Sequence, residues 1–249
     1  MNYSDVFTFK VKNPLCLGHD MPDVTIVIPV KDEEVGLKYL LEDFENSKLF
    51  NNDQISFIFV IDSRTSDKSK SIALKFSDNV VDQHDTFGKG SAIIQAISIY
   101  EKNPTPYIIF LDADGSYSFN GVYSIIQQLK SGQQVVSGSR FLNSYPNSLG
   151  MSKLHIFGNK FLSRISSIKN RKNITDLCTG LWGFTFESAS KLNLQSSGFD
   201  LEAEIMGKVR IENLQHKEIS IKWSERKGGK SKLRSFKDGF IILFRIIRT

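Results

Sequence analysis

The sequence predicts an α/β fold, a mostly parallel sheet flanked by helices, and three observations predict it. Short apolar, β-branched runs alternate with helical periodicities through the first half of the chain. Two of those runs end directly in an aspartate. No internal repeat, low-complexity tract or linker interrupts the pattern, so a single domain is expected. Such a sheet is covered on both faces, and the handedness of its crossovers puts functional loops at the carboxyl ends of the strands.

Residues 1–23 lack periodicity and read as an N-terminal arm. Val24–Val30 is an apolar run suited to a buried strand, and Leu37, Leu40, Leu41 and Phe44 mark the helix after it. Residues 55–61 form a second strand ending at Asp62, followed by a short helix over Ser69–Phe76. Helical spacing returns over Lys89–Tyr100, and Tyr107–Leu111 is a third strand that ends at Asp112. Val122, Ile125, Ile126 and Leu129 give the next helix, and residues 134–137 the next strand.

The second half is less regular. Residues 143–152 are rich in Asn, Ser, Pro and Gly and read as a loop. Leu154, Phe157, Phe161, Ile165 and Ile168 form a helical stripe, while Ile219, Ile221 and Trp223 alternate as in a half-buried strand. Residues 24–233 are expected to be the main domain, and 234–249 a basic, amphipathic C-terminal helix.

Composition bounds the function. The 249 residues are 40% apolar and 24% charged, which supports a substantial core and excludes global disorder. The formal net charge of +5 is too small to argue for nucleic acid, and none is expected as a partner. Cys16 and Cys178 are the only cysteines, which excludes a disulfide scaffold and a four-cysteine zinc site and suits a reduced compartment. Cys16 and His19 have ligand-like spacing, but no second pair completes them. No signal peptide is visible, and no apolar run approaches the ~18 residues of a membrane span.

Two nucleotide motifs are absent. The first strand runs into Pro29-Val30-Lys31-Asp32-Glu33-Glu34, with no glycine of a dinucleotide fingerprint. Gln83 stands where a P-loop ending at Gly88-Lys89 needs glycine. The sharpest feature is Asp112-Ala113-Asp114 at a strand exit, where two carboxylates can share a hard divalent cation and its phosphate oxygens; a surface Asp turn is the plain alternative. Asp62, also at a strand end, can accept the N–H edge of a nucleobase, whereas Ser66 or Asp67 suits a helix cap. Gly88-Lys89-Gly90 opens a helix and suits an anion. Asp176 and Asp200 are candidates for a catalytic base or a sugar-hydroxyl partner, and Asp200 equally for a helix cap. His84, His155 and His216 read as surface or loop residues.

Taken in order, Val27-Ile28-Pro29 with Asp32-Glu33-Glu34, Val60-Ile61-Asp62 with Thr65-Ser66-Asp67, Gly88-Lys89-Gly90, Leu111-Asp112-Ala113-Asp114 and Gly138-Ser139-Arg140 form a series. It resembles the inverting nucleotide-sugar glycosyltransferases of family 2, which have the Rossmann-like GT-A fold. Thr175-Asp176-Leu177-Cys178-Thr179-Gly180, Gly198-Phe199-Asp200-Leu201-Glu202 and the Arg226 to Leu233 segment are similar to those of the dolichyl (polyprenyl) phosphate mannose and glucose synthases.

The resemblance implies a metal-dependent hexose transfer from a UDP- or GDP-sugar to a polyprenyl phosphate. Pro29, Glu33 and Asp62 would frame base and ribose, with Lys89 near the donor. Asp112 and Asp114 would handle ribose, diphosphate and Mg²⁺ or Mn²⁺. Arg140 would face the acceptor phosphate, counted with Asp176 and Asp200 among the catalytic residues, and Arg226 and Lys232 would close over the phosphates. The sequence departs from the family at Ser63-Arg64, where Asp-Gly is frequent, at Ser116 and at His155. Alternatives are a glycosyltransferase acting on a hydroxyl of a soluble or glycan acceptor, and a sugar nucleotidyltransferase. Lys227, Lys230, Lys232, Arg234, Lys237, Arg245 and Arg248, beside Phe236, Phe240, Leu243 and Ile247, suit an anionic bilayer surface. The expected location is therefore peripheral, on the cytoplasmic face of a membrane.

Overall fold

The computed structural model describes residues 22–47, 54–83, 86–143, 151–229, 232 and 235–249. The N-terminal arm with Cys16 and His19, most of the 143–152 loop, His84, and Lys230, Ser231, Leu233 and Arg234 lie outside the described residues.

The chain forms β1 (Val24–Val30), α1 (Glu34–Ser47), β2 (Ile55–Asp62), α2 (Ser69–Phe76), β3 (Val80–Gln83), α3 (Lys89–Tyr100), β4 (Tyr107–Leu111) and α4 (Phe119–Lys130). It continues through β5 (Val135–Ser139), α5 (Lys153–Asn170), β6 (Leu181–Thr185), α6 (Phe186–Lys191), α7 (Leu201–Ile211), β7 (His216–Ser220) and α8 (Ser235–Arg248). The strands make one seven-stranded sheet in the order β3-β2-β1-β4-β6-β5-β7. All neighbours are parallel except β6, which runs against both β4 and β5.

Alternation along the central strands builds two cores. Ile26, Ile28, Phe57 and Phe59 face one side with Leu37, Leu40 and Phe44 of α1. Val27, Ile58, Val60, Ile108 and Phe110 face the other, against α3 and α7. On the first side Phe44, Phe57, Phe76 and Phe119 pack edge to face or tilted, with centroid separations such as 5.0 Å for Phe44–Phe57. The order in the sheet leaves β1, β2 and β4 side by side, so Asp62 and Asp112 emerge at the same edge.

Five elements differ from the sequence-based expectation. β3, β6 and α6 are too short to show a period of their own. The seventh strand lies earlier than Ile219, Ile221 and Trp223 suggest; Ile221 and Trp223 follow it, and Trp223 forms an isolated bridge with Tyr117. On α5 most of the apolar stripe faces out: Phe157 is 70% and Ile168 69% exposed, while Ile165 packs on the second core and the buried side carries Asn159, Ser163, Ser166 and Asn170 beside Leu162.

The C-terminal helix α8 is seated on the body through Ile242 and Ile246, both buried with α7 residues in the second core. Arg245 Nε bonds Asp200 Oδ2 at 2.7 Å, and Lys169 Nζ and Arg210 Nη2 reach the carbonyls of Ile247 and Thr249. Its other side exposes Phe236, Phe240, Ile241, Phe244 and Ile247.

Candidate active site

A cleft of about 1040 Å³ opens over the carboxyl ends of β1, β2 and β4. Nine of the site residues singled out from the sequence line it together: Pro29, Glu33, Asp62, Lys89, Asp112, Asp114, Arg140, Arg226 and Lys232.

At its base end two acidic stretches clasp each other. Asp67 Oδ2 accepts from the Glu34 amide, Glu34 Oε2 from the Lys68 amide, and Asp32 Oδ1 from the Ser66 amide at 2.7 Å. Asp67 Oδ1 also takes the Ser69 amide and hydroxyl, holding the start of α2 as a cap does. These groups are spent on fixing the β1 and β2 exit loops. Glu33, left over, accepts from Arg226 Nη2 at 2.6 and 2.7 Å and from Lys232 Nζ at 2.5 Å, while Lys232 also reaches the Asp32 carbonyl. Arg226 and Lys232 are thus pinned over the cleft.

At the centre, Lys89 Nζ lies 2.6 Å from both Asp112 Oδ1 and Glu202 Oε1. Burial by itself lowers the lysine's pKa, but the two carboxylates outweigh it and the pKa is raised. Burial raises the carboxyls of Asp112 and Glu202, with Lys89 pulling both back. The glycines around Lys89 explain its placement. A Cβ on Gly90 would sit 2.0 Å from the Ser196 carbonyl oxygen, and one on Gly88 2.3 Å from that of Ser197. They let the start of α3 press on the segment that leads into α7 and Glu202. The Ser91 amide donates to Ser197 O, so this helix start is used partly for packing.

Asp114 accepts from the Ser116 amide at 3.0 Å, and its Oδ2 is 4.0 Å from Arg226 Nη1. Among the described residues no three His, Cys, Asp or Glu side chains converge as a ready metal site. The donor set still fits a hard cation: two carboxylates at one turn, with diphosphate oxygens and water to complete the shell. Gly180 shapes that place, because its Cβ would meet Asp112 Oδ2 at 1.9 Å. The Gly180 amide is held in turn by Tyr117 Oη at 2.6 Å, and burial pushes that phenol up to about 12.

Arg140 Nε and Nη2 fork onto Asp176 at 2.6 and 2.7 Å, and Nη2 also reaches the Cys178 carbonyl. Asp176 takes Asn159 Nδ2 as well, and its side chain is closed to solvent. Asp200 accepts from Ser196 Oγ and Arg245 Nε and makes no side-chain cap bond to α7. Neither Asp176 nor Asp200 lines the cleft. Both carboxylates are engaged by neighbouring side chains. The carboxylate that reaches the cleft from this segment is Glu202, two residues after Asp200. Its signal in the sequence is its place in the family-like segment Gly198-Phe199-Asp200-Leu201-Glu202.

His155 lines the cleft on α5, and Ser116 lines it beside Asp114. His216 is half-buried on β7: it stacks on Trp182 at 5.6 Å between ring centroids and bonds Ser137 Oγ.

Comparison with known proteins agrees with this architecture. Glycosyl transferase family 2 matches residues 25–192. The glycosyltransferase AglJ of Haloferax volcanii is 26% identical over 91% of this chain and 72% of its own length. A dolichyl-phosphate beta-glucosyltransferase of Trichomonas vaginalis is 24% identical over 90% of this chain and 72% of its own. A glucosyl-3-phosphoglycerate synthase of Mycobacterium tuberculosis, crystallised with Mn²⁺, UDP-glucose and phosphoglyceric acid, shares the fold, with a TM-score of 0.69, 13% identity and coverage of 91% and 79%. Asp112, Asp114 and Lys89 fall inside the family match, whereas Glu202, Arg226 and Lys232 fall beyond it.

Proposed function

The chain belongs to glycosyl transferase family 2 and is a glycosyltransferase, and on that premise we propose that it moves a hexose from a UDP- or GDP-sugar to a polyprenyl phosphate with inversion. The observation that carries this is the shape of the cleft. It runs without a break from Asp112 and Asp114 to Leu154, Phe157 and Phe161 of α5 and to Phe240 and Leu243 of α8. An ionic end joined to an apolar, partly exposed end matches a phosphate on a long hydrocarbon chain. The dolichyl-phosphate enzyme among the relatives points to the same acceptor class. A nucleotidyltransferase has no support from the family.

Asp112 and Asp114 would hold Mg²⁺ or Mn²⁺ against the donor diphosphate, and that cation would stabilise charge on the leaving nucleoside diphosphate. Arg226 and Lys232, now on Glu33, stand ready to exchange that partner for phosphate oxygens. Arg140 presents a fixed positive charge to the acceptor phosphate, with Asp176 as the group that orients it. A phosphate monoester has its second pKa near about 6, so it arrives largely as a dianion and needs no general base. A hydroxyl acceptor is the second reading, because Glu202 supplies a buried carboxylate within the cleft that could take its proton.

The apolar faces of α5 and α8 carry the exposed cations Lys153, Lys160, Arg164, Lys237 and Arg248. That combination suits the surface of an anionic bilayer, where each cation contributes about 1 kcal/mol, and the cytoplasmic leaflet is such a surface. The test pairs flotation on anionic liposomes with transfer to polyprenyl phosphate. Phe157→Glu/Phe240→Glu should lose both while keeping donor hydrolysis. A wild-type protein that ignores liposomes and polyprenyl phosphate, yet glycosylates a soluble hydroxyl acceptor, would overturn the lipid acceptor.

A further inference from the structure

We infer that Arg64 makes this site selective for a uridine over a guanosine nucleotide, an inference that rests on the nucleotide-sugar reading above. An ionised carboxylate has about four lone-pair sites. In Asp62 all four are taken. Oδ1 accepts from the Arg64 amide at 3.0 Å and from Arg64 Nε at 2.8 Å, and Oδ2 meets Arg64 Nη2 at 2.5 Å and Lys31 Nζ at 3.3 Å. The Arg64 fork holds the Asp62 carboxyl well below the usual range, at about 2. Asp62 therefore reaches a nucleobase only after Arg64 leaves it.

Arg64 is held in place. Its guanidinium carbon lies 3.9 Å from the centre of the Phe87 ring, and Phe87 stands outside the cleft while Arg64 lines it. Nη1 makes no hydrogen bond among the described residues, so its two N–H groups remain for a ligand. Lys31 lines the same wall. Gln83, the register partner of Asp62 on β3, lines it too; its Nε2 donates to the Gly88 carbonyl, which leaves Oε1 as the neutral acceptor there.

The wall thus offers several donors and one acceptor. Uracil presents two carbonyl oxygens flanking a single N–H and fits it. Guanine presents one carbonyl beside an N–H and an amino group, and its two donor groups face cations where a free carboxylate is wanted. Asp62 fixes the guanidinium, and Arg64 reads the base.

The experiment measures Kd for UDP and GDP by calorimetry with Mn²⁺, on the full chain and on Arg64→Ala and Phe87→Ala. UDP should bind at least about tenfold more tightly than GDP in the wild type. Arg64→Ala should weaken UDP about tenfold and strengthen GDP, because it frees Asp62 as an acceptor. Phe87→Ala, which removes only the backing ring, should move the ratio the same way by less. A wild type that prefers GDP, or an Arg64→Ala ratio within about twofold of the wild type's, would overturn the role of Arg64 and leave the donor reading standing. No binding of either nucleotide would overturn both.

Discussion

A single methyl group at position 180 tests whether the Asp112 carboxylate must stand where it does. Gly180→Ala puts a carbon 1.9 Å from Asp112 Oδ2 and 2.3 Å from its Cγ. Contact between such atoms normally begins at roughly 3.5 Å, so the carboxylate is displaced by about 1.5 Å. That breaks its 2.6 Å contact with Lys89 and moves one of the two carboxylates proposed to hold the cation. Position 180 is not among the positive-φ residues, so alanine brings no backbone strain. A misplacement of about 1 Å at a reacting centre costs around 100-fold in rate. The expected result is a kcat for donor hydrolysis and transfer lower by about 100-fold, close to that of Asp112→Asn, with a weaker Mn²⁺ activation curve. Overpacking should lower stability by about 1–3 kcal/mol, read from thermal melts. Activity within threefold of wild type, with the metal curve unmoved, would refute the claim that Gly180 exists to admit Asp112.

Two further predictions concern stability. Arg245→Met leaves the buried carboxylates of Asp200 and Glu204 without the cation that lies 2.7 and 3.9 Å from them, and should cost about 2–4 kcal/mol by chemical denaturation. Adding Asp200→Asn should return part of that loss, and a double variant no more stable than the single one would refute the pairing. Burial, helped by the charge of Lys172, lowers the His216 imidazole to about 4, against about 6.5 in the unfolded chain. As pH falls the unfolded chain binds the proton first, so His216 favours the fold fully above pH 6.5 and loses that effect toward pH 4. His216→Gln should flatten the pH dependence of the melting temperature in that window, and equal slopes in both proteins would refute it.

The sheet was legible where burial imposes a strict pattern. In β2 the run Ile55–Asp62 is apolar on both faces, as a central parallel strand must be, and the aspartate at its end is where the chain leaves the core. β6 escaped because Leu181–Thr185 is five residues including a glycine, and only its pairing with β4 and β5 makes it a strand. On α5 the helical period was plain, but its apolar face looks outward, and period alone does not say which face is buried. The two strand-end aspartates of the site were visible for the same reason as the strands. Glu202 was not, because Asp200 and Glu202 read equally well as acids at a helix start; only the docking of Gly88 and Gly90 against residues 196–197 tells which one meets Lys89. The saturation of Asp62 by Arg64 was likewise invisible, since the two residues are neighbours whose bonding depends on the turn between them.

The pins across the cleft also set the order in which this enzyme can come into being. Lys89 and Glu202 are 113 residues apart, Glu33 and Arg226 193, and Glu33 and Lys232 199. Contacts of such sequence separation carry the largest loop-closure cost and form late, after local helices and adjacent strands. A nascent chain that has passed β6 already holds both aspartates of the Asp112–Asp114 turn and most of the sheet, yet its central lysine has only Asp112 of its two carboxylate partners and Glu33 lacks both of its cations. Catalytic competence therefore arrives with the last fifth of the polypeptide, and a partly synthesised or partly refolded enzyme has the scaffold without the power to spend its donor.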